Sequence, residues 1–183
     1  MKAKLLFVFA SIFILIVFLF TSQNLYNYPN GITGRTQKTS TSGCGSCHGS
    51  GATTGLSVVI TGPDSLAKGM SSSYTLTITS ATGSKGGLDV AVRSGTLSTN
   101  QTGTQLLNSE IVHTTGKSFS GGSVSFTFNY TAPNINTTDT IFSTALSSTG
   151  GTGGQWNWSN KRVKVYTMTG VINNNEYQPN GYE

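Results

Sequence analysis

Reactive side chains are scarce in this 183-residue sequence, which has two cysteines, two histidines and six acidic residues. The carboxylates (Asp64, Asp89, Glu110, Asp139, Glu176 and Glu183) are dispersed along the chain. No carboxylate pair, nucleophile–base arrangement or phosphate loop can be read from them, so hydrolytic or group-transfer chemistry is not expected and the protein is not read as an enzyme. Charged residues make up only 9% of the chain. The net charge of +5 includes Lys2 and Lys4, and the one basic cluster is Lys161, Arg162 and Lys164, on an expected strand. A nucleic-acid partner is therefore not expected. Helix-forming runs are missing after Phe20, which excludes a helical bundle.

What is abundant is Gly, Ser, Thr and Asn, and with them a period of two. "SYTLTIT" sets Tyr74, Leu76 and Ile78 against threonines. "GGLDVAVRSG" sets Leu88, Val90 and Val92 against Asp89, Ala91 and Arg93, and "SVSFTFNYTAP" alternates Val124, Phe126, Phe128 and Tyr130 before Pro133. Such alternation marks half-buried strands. With "LSVVIT", "TQLLNSEIVHTT", "DTIFSTALSST" and "KRVKVYTM", seven strands separated by turn residues are expected. Seven strands in roughly 110 residues give an all-β, antiparallel β-sandwich. In "TQLLNSEIVHTT" the spacing puts Leu107, Ile111 and His113 on one side. Ser148 to Asn160 reads as the largest loop and carries Trp156 and Trp158, as cover for a sheet edge or as ligand contacts.

Flanking segments differ in character. Residues 1–22 open with two lysines and an apolar run from Leu5 to Phe20, the pattern of a signal peptide or signal anchor helix. The run falls just short of the roughly 17–25 residues that span a bilayer. Export is expected, to the periplasm, cell surface or exterior, with membrane anchoring through this segment if it stays uncleaved. Residues 23–43 read as a flexible linker, 44–170 as an attachment segment plus the sandwich, and 171–183 as a polar tail.

Both cysteines and one histidine fall in "TSGCGSCHGSG". Cys44-Gly45-Ser46-Cys47-His48 matches C-x-x-C-H, the attachment sequence for c-type haem. Two thiols three positions apart can form thioethers with two vinyl groups of one porphyrin, and the adjacent imidazole supplies a proximal iron ligand. Three other uses compete: a plain disulfide, which leaves His48 without a role; a redox pair, which expects a βα unit that is not visible; and zinc, which would need Cys44, Cys47, His48 and His113 together.

Several stretches resemble a bacterial exported family, the choice-of-anchor V domain, related to Reelin-type (Reeler) domains. "TGRTQKTSTSGCGSCHGS" is similar to its lead-in to C-x-x-C-H, "SYTLTITS" to its second strand, and "IVHTTG" to the segment with its histidine. "VSFTFNYTAP" resembles its aromatic strand. The likeness runs from about Gly31 to Met168 and implies an immunoglobulin-like sandwich at the cell surface or in the periplasm.

The expectation is thus an exported c-type cytochrome-like protein with one covalent haem, transferring electrons to or from a redox partner. Cys44 and Cys47 attach the haem and His48 is its proximal ligand. His113, Met70 and Met168 are the candidate distal ligands, with His113 preferred. An open sixth position would instead suit a gas sensor or an enzyme. The alternative class is a surface interaction module in which Cys44 and Cys47 form a structural disulfide.

Overall fold

The computed structural model describes residues 28–49, 51–150 and 153–168, so the expected export segment and the polar tail lie outside the described residues. Within them every assigned element is a strand: β1 (Ser57–Thr61), β2 (Ser65–Ala67), β3 (Ser71–Thr79), β4 (Lys85–Val92), β5 (Thr96–Thr99), β6 (Thr104–Leu107), β7 (Glu110–His113), β8 (Lys117–Ser118), β9 (Ser123–Thr131), β10 (Thr137–Gly150) and β11 (Gly153–Tyr166). They form a four-stranded sheet, β1-β3-β9-β5, and a seven-stranded sheet, β2-β11-β10-β4-β7-β6, with β8 also paired to β4. Together the two sheets make a β-sandwich. Its pairs are antiparallel except β2 with β11, which run parallel.

Cross-strand pairs on the inner face of the small sheet, Tyr74 with Phe128, Leu76 with Phe126 and Ile78 with Val124, build half of the core. Leu88, Val90, Ile141, Ala145 and Val163 of the large sheet complete it. Each large apolar side chain buried here contributes about 1.5–3 kcal/mol. At the sandwich edge the buried Asp139 carboxylate accepts hydrogen bonds from Ser94 N, Gly95 N and the Tyr130 hydroxyl at 3.1, 2.7 and 2.8 Å. That fixes the bend where the chain leaves β4 for β5 on the other sheet.

The seven expected strands become eleven among the described residues, and other sequence expectations change with them. Ser148 to Asn160 is not a loop: β10 and β11 form a hairpin of two 14-residue strands, with Leu146 opposite Trp156 and Thr144 opposite Trp158. The Gly and Asn content suggested irregular chain, but the alternation of Trp156 and Trp158 with Asn157 and Ser159 prevails. "TQLLNSEIVHTT" is likewise a hairpin, not one strand, turning at Asn108 (φ 49°) and Ser109 (φ 66°). Positive φ at both positions is the two-residue turn that suits twisted strands. Leu107 therefore lies exposed opposite Glu110, while Ile111 enters the core.

β4 departs from simple alternation, because every residue from Gly86 to Val92 is buried. Leu88, Val90 and Val92 face the core, so its other face must be covered by something outside the two sheets. Residues 28–49 provide that cover. Where the sequence reads as a linker, the described part of the lead-in is packed on the sheet.

Phe126→Ala should lower the unfolding free energy by about 3–5 kcal/mol, read from a urea titration. A change under about 1 kcal/mol would contradict the two-sheet core.

Candidate functional site

The lead-in is held by side chains that rise from the large sheet. Gly34 N donates to Glu110 Oε2 at 2.6 Å, and Arg35 N donates to Asp89 Oδ2 at 2.7 Å. Thr144 Oγ1 donates to the Arg35 carbonyl at 2.6 Å, and Gln105 Nε2 to the Asn30 carbonyl at 2.6 Å. Asp89 on β4 and Glu110 on β7, dispersed in sequence, are neighbours here and both buried. Burial pushes the Asp89 carboxyl well above its ordinary range. The Arg35 N–H opposes that shift, and the nearby Glu110 charge adds to it. Asp89 Oδ1 has no hydrogen-bond partner. The sequence signal for this pair is slight: an aspartate within the apolar run "GGLDVAV" and a glutamate beside "IVH".

Beyond Arg35 the chain makes a tight turn, with Ser40 N bonded to the Thr36 carbonyl at 2.9 Å and Gly43 N to Ser40 Oγ at 2.9 Å. Cys47 N and His48 N then both donate to the Cys44 carbonyl, at 3.2 and 2.9 Å. This single helical turn brings positions 44, 47 and 48 to one side, since residues three and four apart are neighbours on a helix. Trp156 and Trp158, edge to face with ring centroids 5.0 Å apart, form the floor beneath it. Gly43 (φ +55°) sits directly on the Trp156 ring, where a Cβ would overlap it. Trp156 Nε1 donates to the Gly49 carbonyl at 3.0 Å and ties down the far side of the turn. The tryptophans thus support the motif from below, rather than covering a sheet edge or contacting a ligand from a loop.

Between turn and sheet lies a cavity of about 480 Å³, within the range of roughly 300–1,000 Å³ usual for small-molecule sites. Cys44, Cys47 and His48 line it, and so does His113 from the end of β7. Ile32, Leu88 and Leu146 add apolar wall, and Arg35 and Lys85 are its basic side chains. Neither tryptophan is among the lining residues. His113 Nδ1 lies 3.2 Å from Leu88 N and 3.4 Å from Leu88 O, and its ring packs over Gly87. A Cβ on Gly87 would stand 2.7 Å from His113 Cε1, so glycine there makes the room that the imidazole occupies. Burial lowers the His113 pKa and favours the neutral ring that can bind a metal. The Cys44 thiol is pushed up to about 12, chiefly by burial, with Asp89 adding to the effect and Arg35 opposing it.

The other candidate ligands lie elsewhere. Met70 and Met168 are 52% and 70% exposed. Met168 follows the far end of β11, and Met70 N bonds the carbonyl of Ala67, whose partner is Tyr166 at that same end. The cavity lies at the other end of β11, near Gly154, where His48 Nδ1 would be 3.2 Å from an added Cβ. At about 3.3 Å per residue a strand of this length separates the two ends by tens of ångströms. Among the described residues, no three His, Cys, Asp or Glu side chains are grouped closely enough to hold a bare metal ion. Nor is any helix among them long and apolar enough to cross a membrane.

No family model and no curated protein matches this chain. Among solved structures, it is similar to Escherichia coli alpha-2-macroglobulin in its native conformation (TM-score 0.35, 18% identity, 61% of this chain and 7% of that one). The same protein activated by porcine elastase gives a TM-score of 0.34 at 20% identity, covering 61% of this chain and 9% of that one. The ASH/PapD-like domain 7 of human CEP192 gives 0.31 at 7% identity, covering 63% and 88%. This chain therefore spans under a tenth of the macroglobulin chains, and no property of these proteins is carried over to it.

A carboxyl whose pKa is raised on folding binds more protons in the folded than in the unfolded state. Stability then falls as pH rises above the ordinary aspartate range of about 4. Asp89→Asn keeps an acceptor for Arg35 N and loses the titration. The thermal midpoint of the wild type should fall relative to this variant as pH is raised from 4 through neutrality. Parallel midpoint curves would show that Asp89 is not strained by its burial.

Proposed function

We propose that this protein is an exported carrier of one covalently attached c-type haem, passing single electrons at the cell envelope or surface. One observation carries the reading: Cys44, Cys47 and His48 on one helical turn, and His113 from a distant strand, line the same cavity. The donor set fits that group. Two thiols and the following imidazole are the attachment and proximal-ligand residues of a c-type site, and the second imidazole sits in the space that Gly87 leaves. The four side chains surround a volume rather than converge on a point, which suits a macrocycle and not a tetrahedral zinc. The raised Cys44 thiol argues against a thioredoxin-like pair, whose reactive cysteine has a lowered pKa.

When bound, the haem supplies a one-electron couple at its iron. The chain does the rest. Cys44 and Cys47 would tether the group through thioethers, and His48 would ligate its iron. His113 would supply the second imidazole, and its ring is held in place by Leu88, whose N–H donates to Nδ1 at 3.2 Å. With both imidazoles committed to the group, no open position would remain for a substrate, which favours an electron carrier over an enzyme. Two imidazoles give a lower potential than a His/Met pair. The immunoglobulin-like sandwich serves as a rigid mount, and a redox partner docks at the cavity mouth beside the exposed Tyr28 and Pro29. The resemblance to choice-of-anchor V domains and the basic-then-apolar start of the chain support export, with anchoring through residues 1–22 if they are retained.

Co-expression with haem-maturation machinery should give a chain heavier by one haem that survives denaturing electrophoresis and has a low-spin spectrum. Cys44→Ser or Cys47→Ser should weaken attachment. His113→Ala should keep the haem and convert the native iron to a form that binds carbon monoxide. A haem-free protein with a Cys44–Cys47 disulfide would overturn the proposal in favour of the surface module. An unchanged low-spin spectrum in His113→Ala would remove that histidine from the iron.

A further inference from the structure

The outward face of β4 presents Lys85, Gly87 and Asp89 in succession, because side chains two apart share one face of a strand. All three line the cavity. Asp89 marks the cysteine end: its charge acts on the Cys44 thiol, and it binds Arg35 N. Arg35 Nη1 lies 3.5 Å from the hydroxyl of Ser46, the residue between the cysteines, so this basic side chain also belongs to that end. Gly87 lies in the middle, under the His113 ring. Lys85 marks the opposite end, four positions from Asp89 and so about 13 Å along the strand, comparable to the breadth of a porphyrin. Its Nζ donates to Ser118 Oγ at 2.9 Å, and an ammonium group has two further protons to give. Gly86, Gly116 and Ser148 surround it on the cavity wall, with no acidic side chain among the cavity's lining residues at this end.

In a c-type haem the vinyl-derived thioethers and the two propionates leave opposite edges of the ring. Tethering the first edge at Cys44 and Cys47 therefore sends the carboxylates away from Asp89 and Arg35. We propose that Lys85 binds these haem carboxylates at the edge of the ring opposite the cysteine tether. This rests on the covalent-haem reading above. The role of Lys85 is positional and electrostatic, since its ammonium group touches the ring's substituents and not the iron.

The test uses haem-loaded full-length protein carrying Lys85→Gln, Lys85→Glu or, as a distant charge control, Lys164→Gln. Intact mass first establishes that one haem is attached, and its absence from the wild type would defeat the functional reading itself. With haem in place, the midpoint potential is followed by spectroelectrochemistry as pH is varied. Removing the lysine charge should lower the potential and move the carboxylate inflection to higher pH. Lys85→Glu should shift the potential in the same direction by roughly twice as much, since the charge change is doubled. Lys164→Gln, on the exposed outer end of β11, should leave the profile as in the wild type. Attached haem with identical potential–pH profiles in the wild type and both Lys85 variants would overturn the proposal. So would a profile altered by Arg35→Gln and not by Lys85→Gln, which would place the carboxylates at the cysteine end.

Discussion

Two buried carboxyl groups hold the candidate site together. Glu110 and Asp89 accept the backbone N–H groups of Gly34 and Arg35 and so lay the lead-in across the outer face of the large sheet. These bonds fix the approach of the chain to Cys44, Cys47 and His48, which line one cavity with His113. Burying two acidic groups side by side is costly, and the backbone N–H donors offset only part of that cost. The raised Asp89 carboxyl records the imbalance. A fold that needed only a stable sandwich would put apolar residues at these positions. The carboxyls instead supply directional acceptors, which fix the path of a segment that has little apolar surface of its own.

A second constraint comes from glycines against large rings. Gly43 lies against Trp156, and Gly87 leaves space for His113. Trp156, itself 2% exposed, binds the Gly49 carbonyl and so clamps the motif turn from the side away from the cavity. The turn is therefore held independently at its N-terminal approach by β4 and β7 and at its base by β11. That double support keeps two imidazoles on elements far apart in sequence facing one volume. The sandwich core lies on the other side of the large sheet and depends on neither.

Much of the core was legible because period-two alternation is written plainly in β3, β4 and β9, and the structure buries Tyr74, Leu76, Ile78, Val124, Phe126, Phe128 and Tyr130 as that pattern requires. The candidate site was legible only in part. C-x-x-C-H is a local motif, and His113 stood out because the chain has just one other histidine. The residues that bring them together were hidden, since Asp89, Glu110, Thr144 and Gly87 act through contacts no spacing rule encodes. Gly- and Asn-rich composition misled twice. It made the start of β11 resemble a loop, and it made the lead-in resemble a linker, although its glycines and backbone amides are what allow close packing on the sheet.

The central claim is that His48 and His113 face each other across one haem iron. Because the chain has only these two histidines, uniform ¹⁵N-histidine labelling marks them and nothing else. Pulsed electron–nuclear resonance on the oxidised, haem-loaded protein should then report two labelled imidazole nitrogens coupled to a low-spin iron. Coupling to a single labelled nitrogen would contradict the claim, and would leave the cavity with an iron that His113 does not reach.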